Sequence, residues 1–435
     1  MLEAFKNHIA KSLPQLLDRP GLIACSAGID SVVLTHLCAA SGIHFALAHC
    51  NFSLRGQQSN EDEQFVKNLA TKMEVSSYVT QFDTAAYATK QGISVQMAAR
   101  DLRYQWFDEL LNEHNYAWVL TAHHLDDALE TFIINLSRGT GLDGLCGIPE
   151  ENNKITRPLL PFTSEQIKEY ALQNDISWRE DQTNEDTKYL RNKVRHEVVP
   201  SLKELHPTFM NNFDNTLRYL SGSAVMLSAH VNSIKEQIFI PYHQGYKIPL
   251  EALNKLEPTE SYLYEIFKTY GFTSWVDISG LLTAMSGKEV RSKTHRLIKD
   301  RQHIILQELI EESPARDEEE IPEVTGDLPL EIKIEEVEEI EEKNNTILYL
   351  DKETLNHRLT VRKWKKGDYF FPLGMDGRKK VSKFFKDEKM DAVAKEKQWL
   401  LCCGDDIVWI IGRRADDRFK ITLKTKHILK VTLEE

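Results

Sequence analysis

Over its first 140 residues the chain alternates between two hydrophobic patterns. Short runs rich in apolar residues, at 21–26 (GLIACS), 43–50 (IHFALAHC), 75–82 (VSSYVTQF) and 117–124 (AWVLTAHH), are each followed by a longer stretch whose apolar positions return every three to four residues. The runs are too short for helices, and most lack the in-out alternation of a strand with one wet face. They predict strands buried on both sides. The stretches 31–40, 60–73, 94–114 and 126–138 predict helices. Strand and helix repeated in this order give parallel βαβ units and an α/β fold, a doubly wound parallel sheet with helices on both faces. Ligands of such a sheet sit beyond the carboxyl ends of its strands.

After a proline-rich patch at 157–161 the pattern turns helical to about residue 308, with amphipathic segments around 217–238 and 262–270. Residues 330–340 (LEIKIEEVEEI) alternate and predict an exposed strand at the end of an acidic linker. The remainder mixes strands at 346–351, 357–364 and 406–414 with one helix near 381–389. The domains expected are a catalytic α/β domain at 1–214, a helical middle domain with the linker at 215–344, and a small α+β domain at 345–435. Residues 1–17 form an amphipathic helix with both charge signs and no small-residue cleavage site, so they are expected to belong to the fold.

Composition changes this picture in three places. No run of about eighteen apolar residues occurs, so no membrane span is expected. The net charge of −12 speaks at first against a nucleic-acid partner. Residues 311–342, however, hold fifteen acidic and two basic side chains, while 358–397 hold thirteen Lys or Arg against six Asp or Glu. One acidic segment hides a basic C-terminal module. Cys25, Cys38, Cys50, Cys146, Cys402 and Cys403 form no C-x-x-C pair, which disfavours a cysteine metal site and suits buried thiols in the cytoplasm.

The unusual residues fall at strand ends. Ser26, Ala27, Gly28, Ile29, Asp30 and Ser31 lie between the first strand and its helix. Small residues there expose backbone N–H groups, and the helix N-terminus adds partial positive charge, which makes an anion site suited to phosphate. Asp30 beside phosphates requires a bridging cation such as Mg²⁺. No Gly-Lys-Ser/Thr follows, so this is not a Walker-type loop. A plain strand-to-helix turn is the bland alternative. After the fourth strand come His123, His124, Asp126, Asp127 and Glu130, which converge at one helix end. Helix capping alone uses such acids. Asp127 and Glu130 beside two histidines also suit a cationic amine or a metal.

The loop, with its Ser-x-Gly-x-Asp-Ser spacing, resembles that of the N-type ATP pyrophosphatases. Further motifs follow it: Asn51 to Gly56 with Arg55, Arg100 and Arg103 with Tyr104, the cluster just described, 138–145 (RGTGLDGL), Arg157 with its prolines, and 181–196 with Arg191 and Arg195. In this order, over roughly residues 20–200, they resemble the tRNA(Ile)-lysidine synthase family. Arg362, Lys366, Gly367, Asp368, Gly374, Lys379 and Lys380 resemble that family's tRNA-binding end domain. The chain departs in carrying Ala27 where the family has glycine, and Phe52 where it more often has histidine. Alanine is strained there if the position needs positive φ, and tolerated if it needs only a small residue.

The resemblance implies an adenine nucleotide alpha hydrolase-like fold and a ligase forming a carbon–nitrogen bond. ATP adenylates the oxygen at carbon 2 of the wobble cytidine in the CAU anticodon of tRNA(Ile). Free L-lysine then attacks that carbon and expels AMP, giving lysidine. Residues 26–31 would hold ATP, with Asp30 on Mg²⁺. Asp126, Asp127 and Glu130, with His123, would hold lysine, and with Asp30 they are the catalytic candidates. Arg55, Arg100 and Arg103 would face the triphosphate or the target nucleotide, and Arg191 and Arg195 the tRNA phosphates. Surface solvation with local ion pairs is the plainer use of such arginines. Lys365, Lys366, Lys379 and Lys380, with Trp364, Tyr369 and Phe370, would grip tRNA by charge and stacking. A homodimer is expected by analogy. The alternatives are a tRNA thiolase of the same superfamily, which would use cysteine sulfur, and an idle tRNA-binding relative.

Overall fold

The computed structural model describes residues 1–54, 56–180, 190–309, 331–341 and 344–434, with the backbone of Glu318–Glu320. Arg55, residues 181–189 and most of the acidic stretch at 311–342 lie outside the described residues. The chain divides into two compact units, Met1–Ser228 and Ala229–Glu435.

The first unit is built on six strands: β1 (Gly21–Ala24), β2 (Phe45–Asn51), β3 (Ser77–Gln81), β4 (Trp118–Leu120), β5 (Glu151–Asn152) and β6 (Ile155–Thr156). Their order is β3-β2-β1-β4-β6-β5, all parallel except the β5–β6 pair. Successive side chains of β1 enter different cores, as the period of two requires. Leu22 joins Ala46, Ala48 and Val119 under Phe107 and Leu110 of α4 (Val95–Glu113). Ile23 joins Leu47 and Leu120 on the other face. That face is covered by α1 (Leu2–Ser12), α2 (Ile29–Ala40), α3 (Gln57–Lys72) and α6 (Ser164–Gln173) through Phe5, Val33, Val66 and Ile167. Each such buried apolar side chain contributes about 1.5–3 kcal/mol, which lets strands of three or four residues hold the centre of the sheet.

A third cluster fixes the functional end of the sheet. Leu125, Ala128 and Leu129 of α5 (Leu125–Arg138) pack with Val194, Val199 and Phe213, the last from α7 (Phe209–Ile238). Between them the chain widens to a π turn at Val194–Val198, a distortion often found at functional sites.

In the second unit the helical middle segment also carries a five-stranded antiparallel sheet of β7 (Ile240–Pro241), β8 (Gly245–Pro249), β9 (Glu289–Arg291), β10 (His295–Asp300) and β11 (His303–Glu308). Its pattern does not alternate because β10 and β11 are covered on both faces. Leu297 and Ile304 are buried, and Ile298 and Ile305 meet Val393 on the opposite side. The C-terminal module holds β12 (Glu318–Glu320), β14 (Ile347–Asp351), β15 (Leu359–Lys363), β16 (Tyr369–Phe370), β17 (Lys379–Lys380), α8 (Val381–Asp387), β18 (Trp399–Cys403), β19 (Asp406–Ile410) and β20 (Arg414–Ala415). The alternating acidic stretch forms β13 (Ile332–Val337), paired antiparallel with β21 (Ile428–Leu433). Its glutamates meet cations there, Glu335 reaching Lys430 and Glu336 reaching Lys352.

Candidate active site

The loop at 26–31 leaves β1 and opens α2. Ser31 is buried and braces the turn: its Oγ donates to the Gly28 carbonyl at 2.9 Å and accepts the Ser26 N–H at 3.1 Å. Ser26 is exposed and lines the cavity. Gly28 has ordinary backbone angles (φ −71°, ψ 160°), so the left-handed residue of the turn is Ala27, at φ 70°. Its side chain is fully buried, at 0% exposure.

Magnitudes explain why alanine persists. The left-handed conformation costs an L-residue about 1–2 kcal/mol. Burial of the methyl group, about 0.8 kcal/mol, and the extra chain entropy that glycine loses, about 0.5–1 kcal/mol, offset most of that. Ala27→Gly is therefore expected to change unfolding free energy by less than about 1 kcal/mol. Ala27→Val, overpacked and β-branched at positive φ, should lose about 1–3 kcal/mol from packing alone. Chemical denaturation of both variants checks this, and a large gain for glycine would refute the balance.

Across the strand ends stands the N-terminus of α5. Its cap is His124, whose backbone N–H donates to Asp127 Oδ2 at 3.1 Å. The His124 ring lies between carboxylates, with Nε2 3.7 Å from Asp30 and 3.5 Å from Asp127. Asp126, Asp127 and Glu130 are 6%, 8% and 1% exposed. Such carboxylates need counter-charges, and two come from the turn that packs on α5. Arg191 donates to Glu130 at 2.7 Å and to Asp127 at 3.0 Å. Arg195 donates to Glu130 at 2.5 Å and to Asp127 at 3.1 Å. Lys203 bonds Asp126 and, at 2.5 Å, Glu165.

These neighbours set the charge states. Burial works against ionised Asp127, but His124 and Arg191 outweigh it and hold its carboxyl below the usual range. Burial pushes the half-buried Asp30 upward against the pull of His124. His123, hydrogen-bonded through Nδ1 to Thr121 Oγ1 at 2.9 Å, is pushed down to about 4 by burial and by nearby arginines, against the pull of Asp127. It is a neutral imidazole at physiological pH.

Ser26, Phe52, Arg103, Arg138 and Arg191 border a cavity of about 1050 Å³. Arg103 reaches it over the Phe52 ring at 5.2 Å, so Phe52 serves as an aromatic support. Arg100 is exposed and lies over Tyr104. Arg55 lies outside the described residues. Arg157 is 6% exposed and donates to the Pro149 carbonyl. His124 stands in the sequence-based cluster without a role of its own, and Lys203 is absent from it. Lys203 continues the four-residue spacing of Arg191, Arg195 and Val199, which was its one visible signal.

In the second unit Lys365, Lys366 and Lys380 are exposed, whereas Lys379 is paired with Asp387 at 2.8 Å. Buried Arg362 closes the turn that displays the first two, binding Asp368 through both Nη atoms at 2.8 and 3.0 Å. Of the three aromatics expected to stack on tRNA, only Tyr369 is exposed. Phe370, one residue on and facing the other way, is fully buried in the core, and Trp364 packs edge-on against Phe385.

Family models match three parts of the chain: a PP-loop domain over residues 1–202, a TilS substrate binding domain over 242–309, and a TilS substrate C-terminal domain over 359–431. The chain is 37% identical over 437 residues to the tRNA(Ile)-lysidine synthase of Parabacteroides distasonis, covering 99% of each. It is 38% identical over 430 residues to the tRNA(Ile)-lysidine synthase of Bacteroides thetaiotaomicron, covering 97% of each. Among solved structures it is similar to a U34-tRNA thiolase from Methanococcus maripaludis at 15% identity, with a TM-score of 0.42 over 51% of this chain and 80% of the other.

Proposed function

The chain belongs to the tRNA(Ile)-lysidine synthase family, an ATP-using ligase family that forms a carbon–nitrogen bond on tRNA, and on that premise we propose how its residues divide the work. The observation that carries the division is the meeting of the 26–31 loop with the α5 carboxylates at the strand ends.

ATP lies with its phosphates on the loop, where backbone N–H groups at the start of α2 and Ser26 face them. Among the described residues no three His, Cys, Asp or Glu side chains are arranged to hold a metal ion by themselves. A single carboxylate, Asp30, with phosphate oxygens and water for the other positions, is a common way to hold Mg²⁺, so the residues fit that ion. When bound, it would offset phosphate charge as pyrophosphate departs. The oxygen on carbon 2 of the wobble cytidine attacks the α-phosphorus, the bond to pyrophosphate breaks, and the base is adenylated. Arg103 on the cavity wall stands where the target nucleotide enters.

Free lysine follows. With Asp30 given to Mg²⁺, Asp126, Asp127, Glu130 and Glu165 oppose Arg191, Arg195 and Lys203, so four carboxylates face three cations and the site can accept an ammonium group. His123 stays unprotonated above pH about 4 and offers the amine an acceptor instead of another positive charge. The amine forms its bond to carbon 2, loses a proton and expels AMP. Lys365, Lys366 and Lys380 hold tRNA phosphates. Substrates of this kind place the reaction in the cytoplasm.

The thiolation alternative is not favoured. Burial pushes the Cys25 thiol up and that of Cys50 to about 12, so neither is a ready sulfur nucleophile. The deciding assay supplies ATP, Mg²⁺, labelled lysine and tRNA(Ile) with a CAU anticodon, with tRNA(Met) alongside. Lysine should enter the isoleucine tRNA only; thiolation without lysine incorporation would sink the reading.

A further inference from the structure

We infer that Arg179 is a positioning residue for ATP, holding the peptide between Ala27 and Gly28 so that the Gly28 N–H faces the phosphates. Its backbone N–H donates to the Ala27 carbonyl at 3.0 Å. Its side chain fixes it against α3, with Nε on Asp62 at 2.6 Å and Nη2 on Glu61 at 2.7 Å. Asp62 is itself 6% exposed, so this end of the anchor is set in the fold, while Glu61 is exposed. Ile176, three residues upstream, is buried in the same core as Ala27.

The consequence follows from peptide geometry. A trans peptide is planar, with its C=O and N–H pointing in opposite directions. With the Ala27 carbonyl held toward Arg179, the Gly28 N–H of the same plane must face away from it. Its nearest acceptor is Ser26 Oγ at 3.4 Å, longer than an ordinary N–H···O bond. It is a backbone donor at the start of a helix with no strong partner. Without the anchor this plane can rotate, and a phosphate meets a carbonyl dipole instead of an amide. Positive φ at Ala27 sharpens the need, because an alanine held left-handed depends on its surroundings to stay there.

This inference rests on the reading of the 26–31 loop as the ATP site, and the test separates the two. Steady-state kinetics of the full chain would be measured for Arg179→Ala, Arg179→Lys, Asp62→Asn and Asp30→Ala, with melting temperatures. Arg179→Ala should raise KM for ATP about tenfold, equivalent to about 1.4 kcal/mol, with kcat and KM for tRNA within about twofold of wild type. Asp62→Asn should move the ATP value in the same direction, and Arg179→Lys should recover part of it. An unchanged KM for ATP in both Arg179→Ala and Asp62→Asn overturns the inference. So does a parallel loss of ATP and tRNA affinity with a lowered melting temperature, which would make Arg179 merely structural. If Asp30→Ala also leaves ATP use untouched, the loop reading itself has failed.

Discussion

Replacing Asp30 with alanine is expected to cut pyrophosphate release about a hundred- to thousandfold, the usual scale for removing one group that stabilises transition-state charge. Binding of tRNA should stay within about twofold, because its lysine contacts lie in another unit. The variant should also be at least as heat-stable as the parent. Burial raises the Asp30 carboxyl above its ordinary range, so the folded protein binds its proton more tightly than the unfolded chain does. Stability from that group is present at low pH and is lost as pH rises through the folded value. At neutral pH its charge therefore works against the fold, and alanine removes the cost while removing the function. Pyrophosphate release, a tRNA filter-binding curve and a melting scan test the three parts together. Loss of tRNA binding would mean that the loop is structural.

Glu130→Gln is expected to be the most damaging single change in the first unit. The Glu130 carboxylate receives Arg191 Nε and Arg195 Nε at 2.7 and 2.5 Å and is 1% exposed. Breaking a fully buried pair by neutralising one partner costs about 3–5 kcal/mol, an upper end here because the Arg191 and Arg195 side chains are 44% and 34% exposed. Here two guanidiniums lose one acceptor charge together, with only Asp127 left to share. Lysine transfer should fail, because the freed arginines repel an ammonium group. Arg195→Gln in the same background should recover part of the stability, giving a coupling of about 1–3 kcal/mol in the double-mutant cycle. Additive losses, or a single-variant loss below about 1 kcal/mol, would show that the cluster is solvent-screened and not a buried network.

The doubly wound sheet was legible because its signals are local. The runs around Leu22, Ala46 and Val119 are short and apolar, and each is followed by a helix with its own period. The site was half legible for the same reason. Asp30, Asp127 and Glu130 sit at predicted strand ends, and three or four residues of spacing suffices to place them. Their partners were not legible. Arg195 meets Glu130 across 65 residues of chain, and no local pattern records such a meeting. Arg191 and Arg195, expected to face RNA, and Asp127 and Glu130, expected to face lysine, are in the folded chain one ion-paired cluster. The sheet containing Leu297 and Ile304 escaped notice because both its faces are covered, which erases alternation. Ala27 posed a conditional question that composition could not answer, since φ is a property of the turn and not of the residue.

The ties that complete the site also order events in time. Arg179 reaches Asp62 across 117 residues, and Arg195 reaches Asp127 across 68. Contacts this far apart in sequence reward the chain only after the entropy of closing long loops has been met. The βαβ units near β1 can form from short-range contacts, while the catalytic cluster must wait for residues beyond 190 to return. On synthesis, the phosphate loop therefore has its local brace at Ser31 before Arg179 arrives to hold the Ala27 carbonyl. On heating, the same long-range ties are the ones whose loss disarms the enzyme while most of its sheet still stands.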